Sequence, residues 1–120
     1  TLAVTDVSFI SLRLILPALR RLLHGSEAEA LVLVKPQFEV GRDRVGRGGV
    51  VRDPAAHCDA IDMVITAAEA LDWHAQGLVA SPITGPAGNH EYVLWLGANR
   101  TDLGFDLQGL VNTTLRSGVK

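Results

Sequence analysis

Three ionisable residues stand where α/β proteins keep their chemistry. Asp6 follows the apolar segment Leu2-Ala3-Val4-Thr5, Lys35 closes Ala30-Leu31-Val32-Leu33-Val34, and Glu91 directly precedes Tyr92-Val93-Leu94-Trp95-Leu96. Ligands of open α/β sheets gather outside the C-terminal ends of the parallel strands. If the first two segments are parallel strands and the last runs antiparallel, its start falls at the same edge as the ends of the others. A lysine between two carboxylates would then form a charged site there. Each residue has a plain structural alternative: Asp6 as the cap of the next helix, Lys35 with its stem packed and its ammonium in water, Glu91 as one exposed charge.

The elements that must position these groups are legible from periodicity. From Ser8 to His24 the apolar residues Leu12, Ile15, Leu16, Leu19, Leu22 and Leu23 recur at helical spacing. Pro17 within that stretch predicts a kink or a second helix start. Ala30–Val34 is a continuous apolar run, the mark of a strand covered on both faces. Asp53-Pro54 opens a helix, with Asp as N-cap and Pro at the first helical position; Ile61, Val64, Ile65, Ala68 and Leu71 form its inner face. Trp73 to Ser81 reads as a strand and Pro82 to Asn89 as a turn. A last strand at Tyr92–Leu96 is followed by a weak helix from about Phe105 to Leu115. Alternating strands and helices predict an α/β fold: a parallel sheet built from crossovers, ending in an antiparallel hairpin. Residues 1–97 are taken as the C-terminal part of one such domain and 98–120 as a tail, either a covering helix or a disordered end. The opening at Thr1, inside an apolar strand, reads as the start of an excised piece.

The segment between Lys35 and Asp53 carries Gly41, Gly46, Gly48 and Gly49 among charges, and reads as a long loop of the kind that serves function. Net charge is −2 over 120 residues, which announces no polyanion partner by itself. The distribution is uneven: Arg42, Arg44, Arg47 and Arg52 cluster in this one loop, the pattern of a phosphate-contacting segment or of a solvated surface. Gly46-x-Gly48-Gly49 lies before a charged segment and not in a strand-to-helix turn, so it is no dinucleotide fingerprint. A single cysteine, Cys58, excludes an internal disulfide and favours a reducing compartment. Phe9 to Leu23, the richest apolar stretch, is interrupted by three arginines and a proline, so a spanning helix is not expected. These features point to a soluble cytoplasmic protein.

Five blocks in order resemble the motifs of the TlyA (hemolysin A) family. They are Thr5-Asp6-Val7-Ser8-Phe9-Ile10-Ser11-Leu12, Leu33-Val34-Lys35-Pro36-Gln37-Phe38-Glu39-Val40-Gly41, Gly48-Gly49-Val50-Val51-Arg52-Asp53-Pro54, Ser81-Pro82-Ile83-Thr84-Gly85-Pro86-Ala87-Gly88-Asn89 and Glu91-Tyr92-Val93-Leu94-Trp95-Leu96. The resemblance covers roughly residues 2–96. It implies the C-terminal half of a Rossmann-like, FtsJ-like methyltransferase sheet. It also implies an S-adenosylmethionine-dependent activity on a ribose 2′-hydroxyl of rRNA, at cytidine, with rRNA or ribosomal subunits as partners. Family members use a Lys-Asp-Lys-Glu tetrad, and Asp6, Lys35 and Glu91 match its last three positions. The first lysine and the glycine-rich cofactor loop have no counterpart in this sequence, so the piece alone is expected to be inactive.

A ribose hydroxyl is a poor nucleophile at neutral pH. Lys35 could take its proton or stabilise the developing alkoxide, with Asp6 and Glu91 orienting the lysines. Asp6 and Phe9 are the candidate cofactor contacts, although Phe9 also reads as a core residue at a helix start. Arg42, Arg44, Arg47 and Arg52 are the candidate RNA-backbone contacts. Ser81 and Asn89, near the same edge, are candidate ribose or backbone ligands, with turn support as the alternative for Asn89. No metal site is expected. Two readings from other classes compete: a membrane-active hemolysin, for which no stable membrane association is expected, and a non-catalytic RNA-binding module on the same fold. Finally, a bare sheet face carrying Val32, Val34 and Leu94, beside an open strand Leu2–Thr5, predicts that the piece self-associates as a homodimer.

Overall fold

The computed structural model describes residues 2–5, 11–23, 28–85, 87–100 and 106–117. Four strands form one sheet: β1 (Leu2–Thr5), β2 (Glu29–Val34), β3 (His74–Ala80) and β4 (Tyr92–Gly97), in spatial order β1-β2-β4-β3. β1 pairs with β2 in parallel, whereas β4 runs antiparallel to both β2 and β3. The expected hairpin is therefore present but not appended at the sheet's end. Its second strand is inserted between β2 and β3, so β2, β4 and β3 make a three-stranded antiparallel unit. Segment patterns constrain strand direction and leave strand order open, which is why the insertion was not anticipated.

Helix α1 (Leu12–Leu22) joins β1 to β2 and continues through Pro17. Its buried face is Leu12 and Leu16, while Leu22 is exposed. Helix α3 (Pro54–Glu69) begins as the sequence predicts: the Asp53 side chain accepts a hydrogen bond from the amide of Ala55, and Pro54 occupies the first turn. A side-chain cap of this kind contributes about 1 kcal/mol. The α3 face Ala56, His57, Ala60, Ile61, Val64 and Ala68 is buried. Helix α4 (Leu107–Ser117) packs on α3 and β3, placing Val111 in the core.

The segment expected as a loop has structure of its own. Pro36 starts a single helical turn, α2 (Pro36–Glu39), and two 3₁₀ turns follow at Arg42–Arg44 and Arg47–Gly49. Gly48 and Gly49 both have positive φ (73° and 77°), a conformation that a Cβ disfavours.

α1 and α3 pack against each other, and with α4 they cover one face of the sheet, where Ala30, Val32, Val34, Tyr92, Leu94 and Leu96 are fully buried. Each buried valine or leucine among them contributes roughly 1.5–3 kcal/mol. The expectation of a bare face carrying Val32, Val34 and Leu94 is corrected: these are the helix-covered residues. The alternate positions form the open face, with Leu2, Val4, Val79 and Trp95 exposed and Leu31, Leu33 and Val93 half-buried. A continuous apolar run does not reveal which of its two alternating sets the helices will cover.

Candidate active site

The β2–β4 ladder builds the site. Val34 pairs with Tyr92. Continued by one residue, the same register sets Lys35 opposite Glu91, where Cβ atoms on adjoining strands stand about 5 Å apart. Both residues are buried, at 7% and 4% exposure. Charges so withdrawn from water persist only when neighbours stabilise them. One such neighbour is Gln37 in α2, whose amide nitrogen donates to Glu91 Oε2 at 3.0 Å. The other side of that amide, Gln37 Oε1, is buried without a hydrogen-bond partner among the described residues.

The turn before Glu91 is shaped around this carboxylate. Ser81 N–H donates to Glu91 O at 2.8 Å, and Gly85 N–H donates to Asn89 O at 2.8 Å. A Cβ at Gly85 would lie 2.5 Å from Glu91 Oε2, so any side chain there would displace the carboxylate.

Asp6 and Phe9 lie outside the described residues. The helix that follows them is nevertheless fixed from the Lys35 side. Glu39, 4% exposed, accepts from Ser11 Oγ at 2.5 Å and from Leu12 N at 2.8 Å. It thereby places a carboxylate at the N-terminus of α1, where the helix dipole favours negative charge. α1 has no acidic residue in its own first turn. Arg13 adds a contact to Glu39 at 3.6 Å and donates to the Glu39 carbonyl at 3.1 Å. Sequence reasoning missed Glu39. No local pattern tells that a glutamate will cap a helix lying 27 residues earlier.

The candidate RNA contacts divide. Arg42, Arg47 and Arg52 are exposed, and Arg52 also donates to the Arg47 carbonyl at 3.2 Å. Arg44 is engaged with Asp59 at 2.6 Å and with Asp53 at 3.8 Å. The Ser81 hydroxyl closes its own turn by donating to Ile83 O at 2.9 Å. Asn89 is 2% exposed. Its Oδ1 accepts from Val51 N at 2.9 Å and its Nδ2 donates to Gly49 O at 2.8 Å. These bonds describe support of the turn and the glycine loop, the alternative reading of that residue.

Sequence reasoning also passed over His57, fully buried in α3. Its Nε2 lies 2.8 Å from Val51 O and its Nδ1 lies 2.8 Å from the Tyr92 hydroxyl. A carbonyl can only accept, so Nε2 carries the proton and Tyr92 O–H donates to Nδ1. Burial lowers the His57 pKa and raises that of Tyr92. Both therefore stay neutral around pH 7. The signal was available: His57 precedes Ile61, Val64 and Ala68 at spacings that place all four on one helical face.

An α/β sheet with an antiparallel strand inserted beside its parallel pair, and a lysine and a glutamate buried at the ends of adjoining strands, is the architecture of a methyltransferase domain. The comparisons agree, for the pattern of the FtsJ-like methyltransferase family matches residues 1–98, and the chain belongs to that family. It is 46% identical over 116 residues to the 16S/23S rRNA (cytidine-2′-O)-methyltransferase TlyA of Mycobacterium tuberculosis, covering 97% of this chain and 42% of that protein. It is 52% identical over 94 residues to a candidate rRNA methyltransferase, YqxC, of Bacillus subtilis, covering 78% of this chain and 33% of that one. Among solved structures, a candidate hemolysin from Lactococcus lactis superposes with a TM-score of 0.85 at 38% identity, covering 93% of this chain and 54% of that protein. The chain thus spans less than half the length of the curated relatives it matches.

Proposed function

We propose that this chain supplies the methyl-accepting side of an S-adenosylmethionine-dependent methyltransferase that modifies a ribose 2′-hydroxyl of rRNA, at cytidine, in the cytoplasm. The observation that carries the reading is the burial of Lys35 and Glu91 in facing positions at the mouth of the sheet. Residues 1–97 form the domain portion, with the tail as its cover.

S-adenosylmethionine supplies a methyl group already activated on a sulfonium. The residues at this edge suit that cation: Glu91 is a carboxylate, and Gln37 Oε1 is a buried acceptor with no protein partner among the described residues. Lys35 accepts the proton of the 2′-hydroxyl, or holds the oxygen as negative charge develops on it. Glu91 fixes the Lys35 side of the site and balances its charge. Asp6 is assigned the second carboxylate position, and Phe9 a stacking contact. Arg42, Arg47 and Arg52 take the RNA backbone, while Arg44 serves mainly to brace the loop on α3; Ser81 is left as a minor contact. The apolar open face would pair with a second copy when the piece stands alone.

The test is Lys35→Ala in the full-length protein. Methylation of rRNA should fall by about 10²-fold or more, with cofactor binding by calorimetry unchanged. Activity within about threefold of wild type would remove Lys35 from the chemistry. Lys35→Arg should be nearly as damaging, because it keeps the charge but alters the geometry and cannot deprotonate.

A further inference from the structure

The glycine–arginine loop is held at one point from both sides. Val51 is 1% exposed and lies between the exposed Arg47 and Arg52. Its amide is taken by Asn89 Oδ1 and its carbonyl by His57 Nε2–H. Asn89 binds a second loop carbonyl, Gly49 O, and the loop closes on itself where Gly46 N–H donates to Val50 O at 2.8 Å. The far ends of the two clamps flank Glu91 in the chain: Asn89 stands two residues before it, and Tyr92, the donor to His57 Nδ1, directly follows it. Each polar atom of the Asn89–Val51–His57–Tyr92 chain has a partner, and all four residues are 2% exposed or less.

We infer that Asn89 and His57 are positioning residues that fix the loop at 46–52 relative to the Lys35–Glu91 edge. Arg47 and Arg52 are then presented to the RNA backbone as a preformed arm rather than ordered by it. The inference rests on the proposed RNA substrate and deepens it. A preformed arm binds without the entropic cost of ordering a glycine-rich segment. The number of phosphates it meets is set by its cations and not by the clamp. Loosening the clamp should therefore lower affinity without changing how affinity depends on salt. A role in stability alone would move the melting temperature and leave affinity below it untouched.

The experiment uses the full-length protein, a fluorescein-labelled RNA oligonucleotide and hydrogen exchange without RNA. Asn89→Ala should speed exchange of the Val51 amide by about 100-fold. It should weaken RNA binding about tenfold at fixed salt, leave the logarithmic salt slope at its wild-type value, and hold kcat at saturating RNA within about threefold. Asn89→Asp retains an acceptor for Val51 N–H but sets a second buried oxygen against Gly49 O, so its affinity should fall at least as far as that of Asn89→Ala. His57→Gln can donate to Val51 O and accept from Tyr92, and should preserve affinity where His57→Ala loses it.

The inference is overturned if the wild-type Val51 amide exchanges as fast as an exposed one. It is overturned equally if Asn89→Ala binds RNA as tightly as wild type despite faster exchange. Failure of the wild-type protein to bind RNA would instead overturn the functional reading, and with it the arm's role.

Discussion

Two sets of basic side chains stand on the same end of this molecule in opposite surroundings. Lys35 is buried at the end of β2, beside the strand that Glu91 precedes, whereas Arg42, Arg47 and Arg52 are exposed on a turn. A polar group withdrawn from solvent interacts strongly with groups a few ångströms away, and its effect depends on geometry. A cation in water acts through a field screened within about 10 Å at moderate salt. The buried set should therefore decide rate and the exposed set affinity.

The comparison breaks most sharply at Glu91. Glu91→Gln keeps the shape and the contact with Gln37 but removes the charge beside Lys35. In the full-length protein kcat should drop by about 10²-fold, with RNA affinity nearly unchanged. A variant that lost affinity and kept its rate would place Glu91 with the exposed set.

A smaller effect is expected from the double variant Arg42→Gln with Arg47→Gln. RNA binding should weaken about tenfold at low salt, and the slope of log affinity against log salt should become shallower by roughly 1.5. An unchanged slope would mean that neither arginine meets a phosphate.

The smallest effect belongs to Arg44→Gln. Its guanidinium is already committed to Asp59 and Asp53, and exposed pairs of this type contribute little to folding. RNA affinity should stay within about twofold of wild type. A loss as large as that of the double variant would show that the aspartates release Arg44 to RNA.

The legible and illegible parts of the fold separate along physical lines. Local chemistry was readable: Asp53-Pro54 starts α3 where capping rules put it, and the strands Glu29–Val34 and Tyr92–Gly97 follow their apolar runs closely. Lys35 and Glu91 could be placed beside strand ends because those ends can be located from sequence. Strand order was not readable, since nothing within β4 specifies that it enters between β2 and β3. Nor was the side of the sheet that helices cover, because β2 is apolar on both faces. The clamps were hidden for a related reason. Asn89 reaches Val51 across 38 residues and Glu39 reaches Leu12 across 27, and such pairings exist only once the sheet has set the elements side by side.

The inserted strand also bears on the order of events during synthesis. Gln37 and Glu91 are 54 residues apart in the chain, and until β4 arrives the β2 edge that will receive it lies open. A nascent chain ending before Glu91 would hold Lys35 without its facing carboxylate, His57 without the Tyr92 hydroxyl and the loop at Val51 without Asn89. Contacts of such sequence separation form late, because closing the intervening chain must precede any gain from them. The Lys35–Glu91 edge would then be completed only as the final hairpin zips into place, at the end of folding and not by degrees along it.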